Sequence, residues 1–309
     1  MSVVADPLRA TGRLRKLMER TAVGPTTRRR QLGAELKRLR DLKGLNLEVA
    51  GEAAGVSRAT VNRYESNRGP VKWLVVDALC RAYGTTDEER AALVSLAKNA
   101  KVQGWWQSYH DAIPGWITPL LTLEDEAVEE CHWANTYVPG LLQTRAYATA
   151  VIQAAEVRAA PELIERMVDV RMKRQEVLKR QPPPHLWAIL DEAVVRRRVG
   201  SPEVMAEQLE HLATASGMPH ITVQILPFSS GAHAAESTSF ISIRGPEPSL
   251  DVVHLSNLSG ALYLEKSGEL ERHRVVFEYL RSQALSTSET SSLLADLVRE
   301  FTATARRER

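Results

Sequence analysis

The sequence predicts two domains, an all-α domain in the first third of the chain and an α+β domain in the rest. Apolar residues recur at helical spacing through the first third, whereas short strand-like runs begin only in the second half. Residues 1–85 carry 17 Lys and Arg against 8 Asp and Glu, a net charge of +9, and the remainder carries −7. A basic domain joined to an acidic one indicates a module that binds a polyanion, attached to a second module with another task.

The composition excludes several classes of protein. Apolar residues make up 44% of the 309 residues, which is enough to form folded cores and excludes a wholly disordered chain. No apolar run approaches the ~20 residues that span a bilayer, and residues 1–10 lack the apolar core of a signal peptide. Cys80 and Cys131 lie in helix-like patterns, so we expect two buried, reduced thiols. These features predict a cytoplasmic protein.

Residues 1–27 are basic and weakly patterned, and their interpretation stays open. They form a flexible leader, or a basic arm that touches phosphates, or a segment that precedes a natural start near Met18. The following helix is expected to be capped by Thr27 and ended by Gly44. Four more helical patterns follow it, which completes a five-helix domain that we place at residues 28–103.

The most informative stretch is a tight pair of short helices over residues 44–65. The helices are joined by a turn at Gly55, and Ser57 is placed to cap the second one with its hydroxyl. Val61 and Tyr64 lie one helical turn apart and are expected to be buried. The other side chains face outward: Arg58, Ala59, Thr60, Asn62 and Arg63. A short exposed helix that carries arginine and small polar residues suits the major groove of DNA, so residues 57–66 are interpreted as a recognition helix.

Residues 28–84 resemble the Xre-type, phage-repressor-like helix-turn-helix domain. The resemblance is carried by Leu32-Gly33, Leu36–Arg40, Gly44-Leu45, Glu48, Ala54–Ser57, Val61–Glu65 and Arg68. It implies a structural ion pair between Arg40 and Glu65 that ties the first helix to the recognition helix. We expect base contacts from Arg58, Ala59 and Arg63. Contacts to the DNA backbone are expected from a polar set around them, namely Lys37, Asn46, Ser57, Thr60, Asn62, Asn67 and Arg68.

The chain departs from the Xre-type pattern at two places. Leu47 stands where relatives often carry a glutamine that helps to hold the DNA backbone, so that contact should be weaker or be made by Asn46. Ala50-Gly51 replaces the usual Leu-Ala, and this pair is therefore expected to loosen the helix packing slightly.

Residues 104–309 are expected to form an α+β domain with a small, mostly antiparallel sheet flanked by helices. Helices are predicted over 121–134, 145–157, 161–180, 202–216, 269–282 and 288–306, with Ser201 and Ser288 as caps of the fourth and the last. Strands are predicted over 185–190, 221–226, 239–244, 252–255 and 261–264.

This second region is similar to the C-terminal domain of a large actinobacterial family of antitoxin-like regulators, in which an Xre-type domain is fused to a domain long labelled as of unknown function. The similarity is carried by Tyr137–Thr144, Arg171-Met172, Arg174-Gln175, Leu190–Ala193, Leu226–Phe228, Gly231–His233 and Gly260–Glu265. It implies a gene neighbour that encodes a small partner protein.

The sequence has little that resembles a catalytic site. It lacks a glycine-rich phosphate loop and a nucleophile elbow, and its histidines are not paired at metal-ligand spacing on a helix, so neither cofactor nor metal is expected. One polar set could converge on a ligand or partner pocket, namely Asp191, Glu192, Arg197, His233 and Glu265. The alternative is that Asp191 caps the following helix and the arginines near it pair with the acidic residues.

Three functions follow from these observations. The first is a DNA-binding transcriptional regulator that works as a homodimer, is nucleoid-associated when bound, and uses its second domain for dimerisation and for sensing a ligand or partner. The second is an antitoxin-like protein that neutralises the product of a neighbouring gene and binds DNA for autoregulation. The third is an enzyme, for which the sequence supplies neither a nucleophile nor a cofactor motif, so we predict no enzymatic activity.

Overall fold

The computed structural model describes residues 25–66, 71–99, 105–235, 238–246, 251–258 and 260–309. The chain divides into two compact units, Met1–Trp105 and Trp106–Arg309. The predicted boundary between 103 and 104 lies just before this division, among residues that are not described. Most of the predicted leader, residues 1–27, is likewise outside the described residues. No helix in the described ranges is long and apolar enough to cross a membrane.

Five α-helices form the described part of the first unit. They are α1 (Pro25–Leu42), α2 (Leu47–Ala53), α3 (Arg58–Glu65), α4 (Trp73–Tyr83) and α5 (Asp87–Asn99). Leu36, Val61 and Leu79 are fully buried in one core that all five helices share. The prediction that Thr27 caps α1 is wrong, because the helix already begins at Pro25, a residue type that suits a first helical turn.

The second unit combines seven α-helices and six strands among its described residues. The helices are α6 (Thr118–Glu126), α7 (Arg145–Ala155), α8 (Pro161–Arg174), α9 (Glu192–Arg196), α10 (Pro202–Ala215), α11 (Ser267–Gln283) and α12 (Thr287–Glu308). The strands are β1 (Glu129–Ala134), β2 (His185–Asp191), β3 (Ile221–Leu226), β4 (Phe240–Arg244), β5 (Val252–Asn257) and β6 (Gly260–Leu264).

The six strands form one mixed sheet in the order β3-β2-β1-β4-β5-β6. β1 pairs with β2, and β2 with β3, in parallel, whereas the other three pairings are antiparallel. One face packs against α7, α10 and α12, with Leu190 and Val223 in the core. The opposite face packs Trp133 and Phe240 against α11. This arrangement confirms the predicted α+β class with a mostly antiparallel sheet.

Two predicted elements need correction. The helix predicted over 121–134 is wrong in its second half, because α6 ends at Glu126 and Glu129–Ala134 forms the central strand β1. Cys131 is consequently half-buried on a strand, whereas Cys80 is buried in α4. The last helix is capped by Ser286 and not by Ser288, because the Ser286 side chain accepts from the Glu289 amide and Glu289 returns a bond to the Ser286 amide.

Candidate nucleic-acid interface

The α2–turn–α3 segment is held by side chains that cap both helices. The Asn46 side-chain oxygen accepts from the amides of Glu48 and Val49 at 3.0 and 2.9 Å, which satisfies two free donors of α2. The Ser57 hydroxyl accepts from the Thr60 amide at 3.2 Å at the start of α3. Gly55 supplies the positive φ of +68° that the turn between the two helices requires.

Gly51 sets how closely α2 approaches this turn. A Cβ atom at residue 51 would stand 2.6 Å from the carbonyl oxygen of Val56, and the Gly51 carbonyl accepts from the Val56 amide at 2.8 Å. The expectation that the pair Ala50-Gly51 loosens the packing is therefore wrong at Gly51, because a side chain there would push the two helices apart.

Substituting Gly51 by Ala should lower the free energy of unfolding of the first unit by about 1–3 kcal/mol, the usual cost of overpacking. Urea unfolding followed by hydrogen exchange in α1–α5 would measure this loss. Glu52→Ala is the matched control, since Glu52 is exposed on the same helix and should change stability by less than about 0.5 kcal/mol. A Gly51 variant as stable as the control would contradict the close approach.

An ion pair ties α1 to the end of α3. The Arg40 Nε and Nη2 atoms donate to the Glu65 Oε1 and Oε2 atoms at 2.7 and 2.8 Å, and Arg40 Nη1 donates to the Leu45 carbonyl at 2.7 Å. Both side chains are nearly buried, and hydrogen bonding to Glu65 raises the pKa of Arg40 above its ordinary value. This is the pair that the Xre-type resemblance implies. One edge of the guanidinium binds Glu65 at the end of α3, and the other binds the Leu45 carbonyl, so the pair fixes the end of the recognition helix.

The outer face of α3 carries the side chains that were predicted to contact bases. Arg58, Ala59 and Arg63 are exposed, while Val61 and Tyr64 on the opposite face are buried. The Arg63 guanidinium lies over the Tyr64 ring at 5.6 Å, and Tyr64 is itself anchored because its hydroxyl accepts from the Lys72 amide at 3.0 Å. Stacking on an anchored ring orients Arg63 before any ligand binds.

The predicted backbone contacts surround this face. Asn62 is exposed on α3, Lys37 is exposed on α1, and Asn46 and Ser57 are exposed at the two caps. Thr60 is half-buried and its hydroxyl lies 3.0 Å from the Ser57 hydroxyl. Asn67 and Arg68 lie outside the described residues. Leu47 packs against the core and has no polar group for the DNA backbone. The predicted backbone contact at the start of α2 is therefore left to the side-chain amide group of Asn46, its cap.

The polar set predicted for a pocket in the second unit does not converge. Asp191 caps α9 by accepting from the Ala193 amide at 2.8 Å, as in the alternative interpretation. Glu192 pairs with Arg196 and accepts from the Phe228 amide, and these bonds lower its pKa although burial opposes them. Arg197 is exposed, and Asp191 ends β2.

The last member of that set, Glu265, lies apart from the first three, whereas His233 lies against β1 beside β2. His233 packs edge-on against Trp133 with 5.0 Å between ring centroids. Glu265 follows β6, which is the fourth strand from β2 across the sheet. The last residue of β6 lies in the same cross-strand row as Trp187, near the start of β2, whereas Asp191 is at the end of β2. At about 4.8 Å per strand, Glu265 is roughly 19 Å across the sheet from Asp191. The sequence could not show this, because the order of strands depends on their pairing.

The structure instead assembles a buried polar cluster that the sequence did not indicate. Glu124 of α6 and Arg174 of α8 form a bidentate ion pair, and Glu130 accepts from or donates to His132 Nε2 at 2.8 Å on β1. His254 of β5 faces the same side of the sheet, two strands away. Burial raises the pKa of Glu124 and of Glu130 to about 7. Burial also lowers the pKa of His132 and of His254 to about 4.

A cleft of about 600 Å³ lies on the opposite face of the sheet, beneath α11. Cys131, Ser242 and Val253 form one row of small side chains across three strands, and Leu270 and Phe277 of α11 also line the cleft. The cleft has the size of a small-molecule site. Among the described residues, no group of three or more His, Cys, Asp or Glu side chains is placed to hold a metal ion.

The capped helix pair and its exposed arginine face define the first unit as a helix-turn-helix domain that binds DNA. A family model described as a helix-turn-helix domain matches residues 31–93. A second model, a domain of unknown function (DUF5753), matches residues 117–296, more than half of the chain. The chain belongs to this DUF5753 family. No curated protein and no solved structure matches the chain.

Proposed function

We propose that this protein is a sequence-specific transcriptional regulator that binds an operator through α3. The observation that carries the proposal is the exposed pair Arg58 and Arg63 on a helix whose opposite face is buried and whose end is fixed by Arg40–Glu65. A guanidinium group that reaches the major groove donates two hydrogen bonds to guanine O6 and N7. The basic first unit supports the same reading, since it would bind the phosphate backbone of any DNA.

The two kinds of contact make separable predictions for variants. Arg58→Ala and Arg63→Ala should each weaken binding to the selected operator by about 1–3 kcal/mol and relax the base preference at one position of each half-site. Lys37→Ala should weaken binding to all sequences about equally and should reduce the salt dependence of binding. Fluorescence anisotropy with an operator found by in vitro selection and with random duplex would measure these affinities at several salt concentrations.

Arg81→Ala is the matched control for these variants. Arg81 is also an exposed arginine of the first unit, but its guanidinium is paired with Asp77 on α4. It should leave both affinities unchanged. If Arg58→Ala and Arg63→Ala bound operator and random duplex as the unmodified chain does, α3 would not be the recognition helix.

The proposal extends to the second unit, which would dimerise the chain and sense a ligand or partner. The cleft beneath α11 is the place that we assign to a small ligand, because apolar side chains such as Leu270 and Phe277 line it together with charged ones such as Arg274 that would orient the ligand. The protein would thus act by binding and not by catalysis, in keeping with the use of Asp191 and Glu192 as cap and ion-pair partner. The antitoxin-like role that the resemblance implies stays a prediction, and co-purification with the neighbouring gene product would test it.

A further inference from the structure

In the described part of the second unit, the sheet ends in a strand whose outer edge pairs with no other strand. β6 is the last strand in the sheet, and within the described ranges its hydrogen-bonded neighbour is β5 alone. Its five residues, Gly260–Leu264, include neither a charged side chain nor a proline, the residue types that usually protect an edge strand. Leu262, at the centre, exposes 57% of its surface.

The opposite edge of the same sheet is covered near the end of β3. The Ile225 carbonyl of β3 accepts from the Leu285 amide at 2.9 Å, and the Ile225 amide donates to the Thr290 hydroxyl at 3.2 Å. The Gln224 side chain also donates to the Leu285 carbonyl at 2.8 Å. The segment that joins α11 to α12, together with the first turn of α12, thus satisfies the outer backbone groups of Ile225. β3 is covered at this point, whereas β6 has no such cover among the described residues.

We propose that β6 pairs with β6 of a second copy of this chain, so that two sheets join into one of twelve strands. A two-fold axis requires identical strands to pair antiparallel, and centring on Leu262 lets all five residues pair, with Gly260 opposite Leu264 of the second copy. Leu262 would then lie opposite its own counterpart, with about 4.5–5.5 Å between Cβ atoms.

The surroundings of Leu262 favour a second copy over another occupant. Leu262 pairs with Leu255, which belongs to the apolar cluster beneath α11, so the two copies would extend that cluster across the axis. A neutral strand is compatible with itself, whereas a charged one would repel its copy. Two copies related by this axis carry two α3 helices for the two halves of a palindromic site. The pairing therefore rests on the dimerisation that the proposed function assigns to the second unit, but it does not depend on operator binding.

The expected association is weak. A pair of five-residue strands buries less than the 1,200 Å² or so of a stable interface, so we expect a dissociation constant on the order of micromolar. Two adjacent half-sites on DNA would hold the copies together and raise their effective concentration.

Sedimentation equilibrium of the full chain without DNA tests the pairing. The average mass should rise from that of a monomer to that of a dimer as the concentration passes through the micromolar range. Leu262→Lys places two cations opposite each other and should weaken association at least about tenfold. Val157→Lys is the control, because Val157 is 85% exposed outside the sheet and should not change the mass.

Cross-linking keeps the test decisive if the lysine variant folds poorly. Leu262→Cys should form a covalent dimer with a short bis-maleimide, whereas Val157→Cys and the unmodified chain, with Cys80 buried and Cys131 half-buried, should not. A monomer at every concentration would overturn the pairing. So would a dimer that Leu262→Lys does not weaken and that Leu262→Cys does not cross-link, or a monomer whose β6 is covered by a different protein. Because no DNA is present, these results are independent of operator binding.

Discussion

Glu65→Ala is expected to lower the free energy of unfolding of the first unit by about 3–5 kcal/mol, because the Arg40 guanidinium loses its buried, doubly hydrogen-bonded partner and keeps only the exposed Asp41 carboxylate, 2.8 Å from Nη1. The side chain of Arg40 is 10% exposed and that of Glu65 is 5% exposed, so water cannot replace the lost bonds. A small domain has about 5–15 kcal/mol in total, so this single change removes a large share of its stability. Operator binding should fall with it, since α3 loses the contact that fixes its end.

Hydrogen exchange of the α1–α5 amides in the full chain measures this loss for the first unit alone. Arg81→Ala is again the control, because its ion pair with Asp77 is exposed and should be worth less than about 1 kcal/mol. The double variant Arg40→Met with Glu65→Met should be less destabilised than Glu65→Ala, since no buried charge remains. Equal protection in Glu65→Ala and in the control would refute a structural role for the pair.

The helix-turn-helix could be predicted closely from sequence because its determinants are local. Gly55, Ser57 and the Val61/Tyr64 spacing each act within one or two turns, and the structure places all of them as expected. Gly51 was misjudged because its effect depends on the distance to Val56, and helix propensity carries no information about distances.

The central strand and the cluster beneath it could not be predicted for a related reason. Glu-Glu-Cys-His-Trp-Ala lacks the β-branched residues typical of strands, and β1 forms because β2 and β4 pair with both of its edges. Glu130 and His132 therefore point to one side of the sheet, where Arg174, far along the chain, meets them. Tertiary pairing decides both the strand β1 and the buried cluster. The charges of Glu130, His132 and Arg174 along the sequence are typical of surface residues, so their burial could not be predicted.

Arg174→Met should destabilise the second unit by about 3–5 kcal/mol at about pH 8.5, because it removes the ion-pair partner of the buried Glu124 carboxylate and leaves Glu130 with the charge of Arg180 alone. At about pH 6 the cost should be smaller. Burial raises the pKa of both glutamates from 4.5 to about 7, so the folded chain takes up protons there and no bare charge remains. Urea unfolding of the second unit at the two pH values measures the difference.

The glutamates and the histidines change the stability of the second unit with pH in opposite directions. Raised glutamate pKa values mean that the folded chain binds more protons than the unfolded chain between pH 4.5 and about 7, so stability falls as the pH rises through that window. His132 and His254, lowered from 6.5 to about 4, act in the opposite direction between those values. The histidines are present in both proteins, so to a first approximation their contribution cancels when the variant is compared with the unmodified chain.

Arg198→Met is the matched control in the same unit, because its ion pair with Glu308 is about half exposed and should be worth less than about 1 kcal/mol at either pH. Adding Glu124→Gln to Arg174→Met should restore part of the stability at high pH, since one of the two stranded carboxylates becomes a neutral amide. If Arg174→Met cost the same at both pH values, the glutamates would not be the groups that its guanidinium balances, and its role would be packing alone.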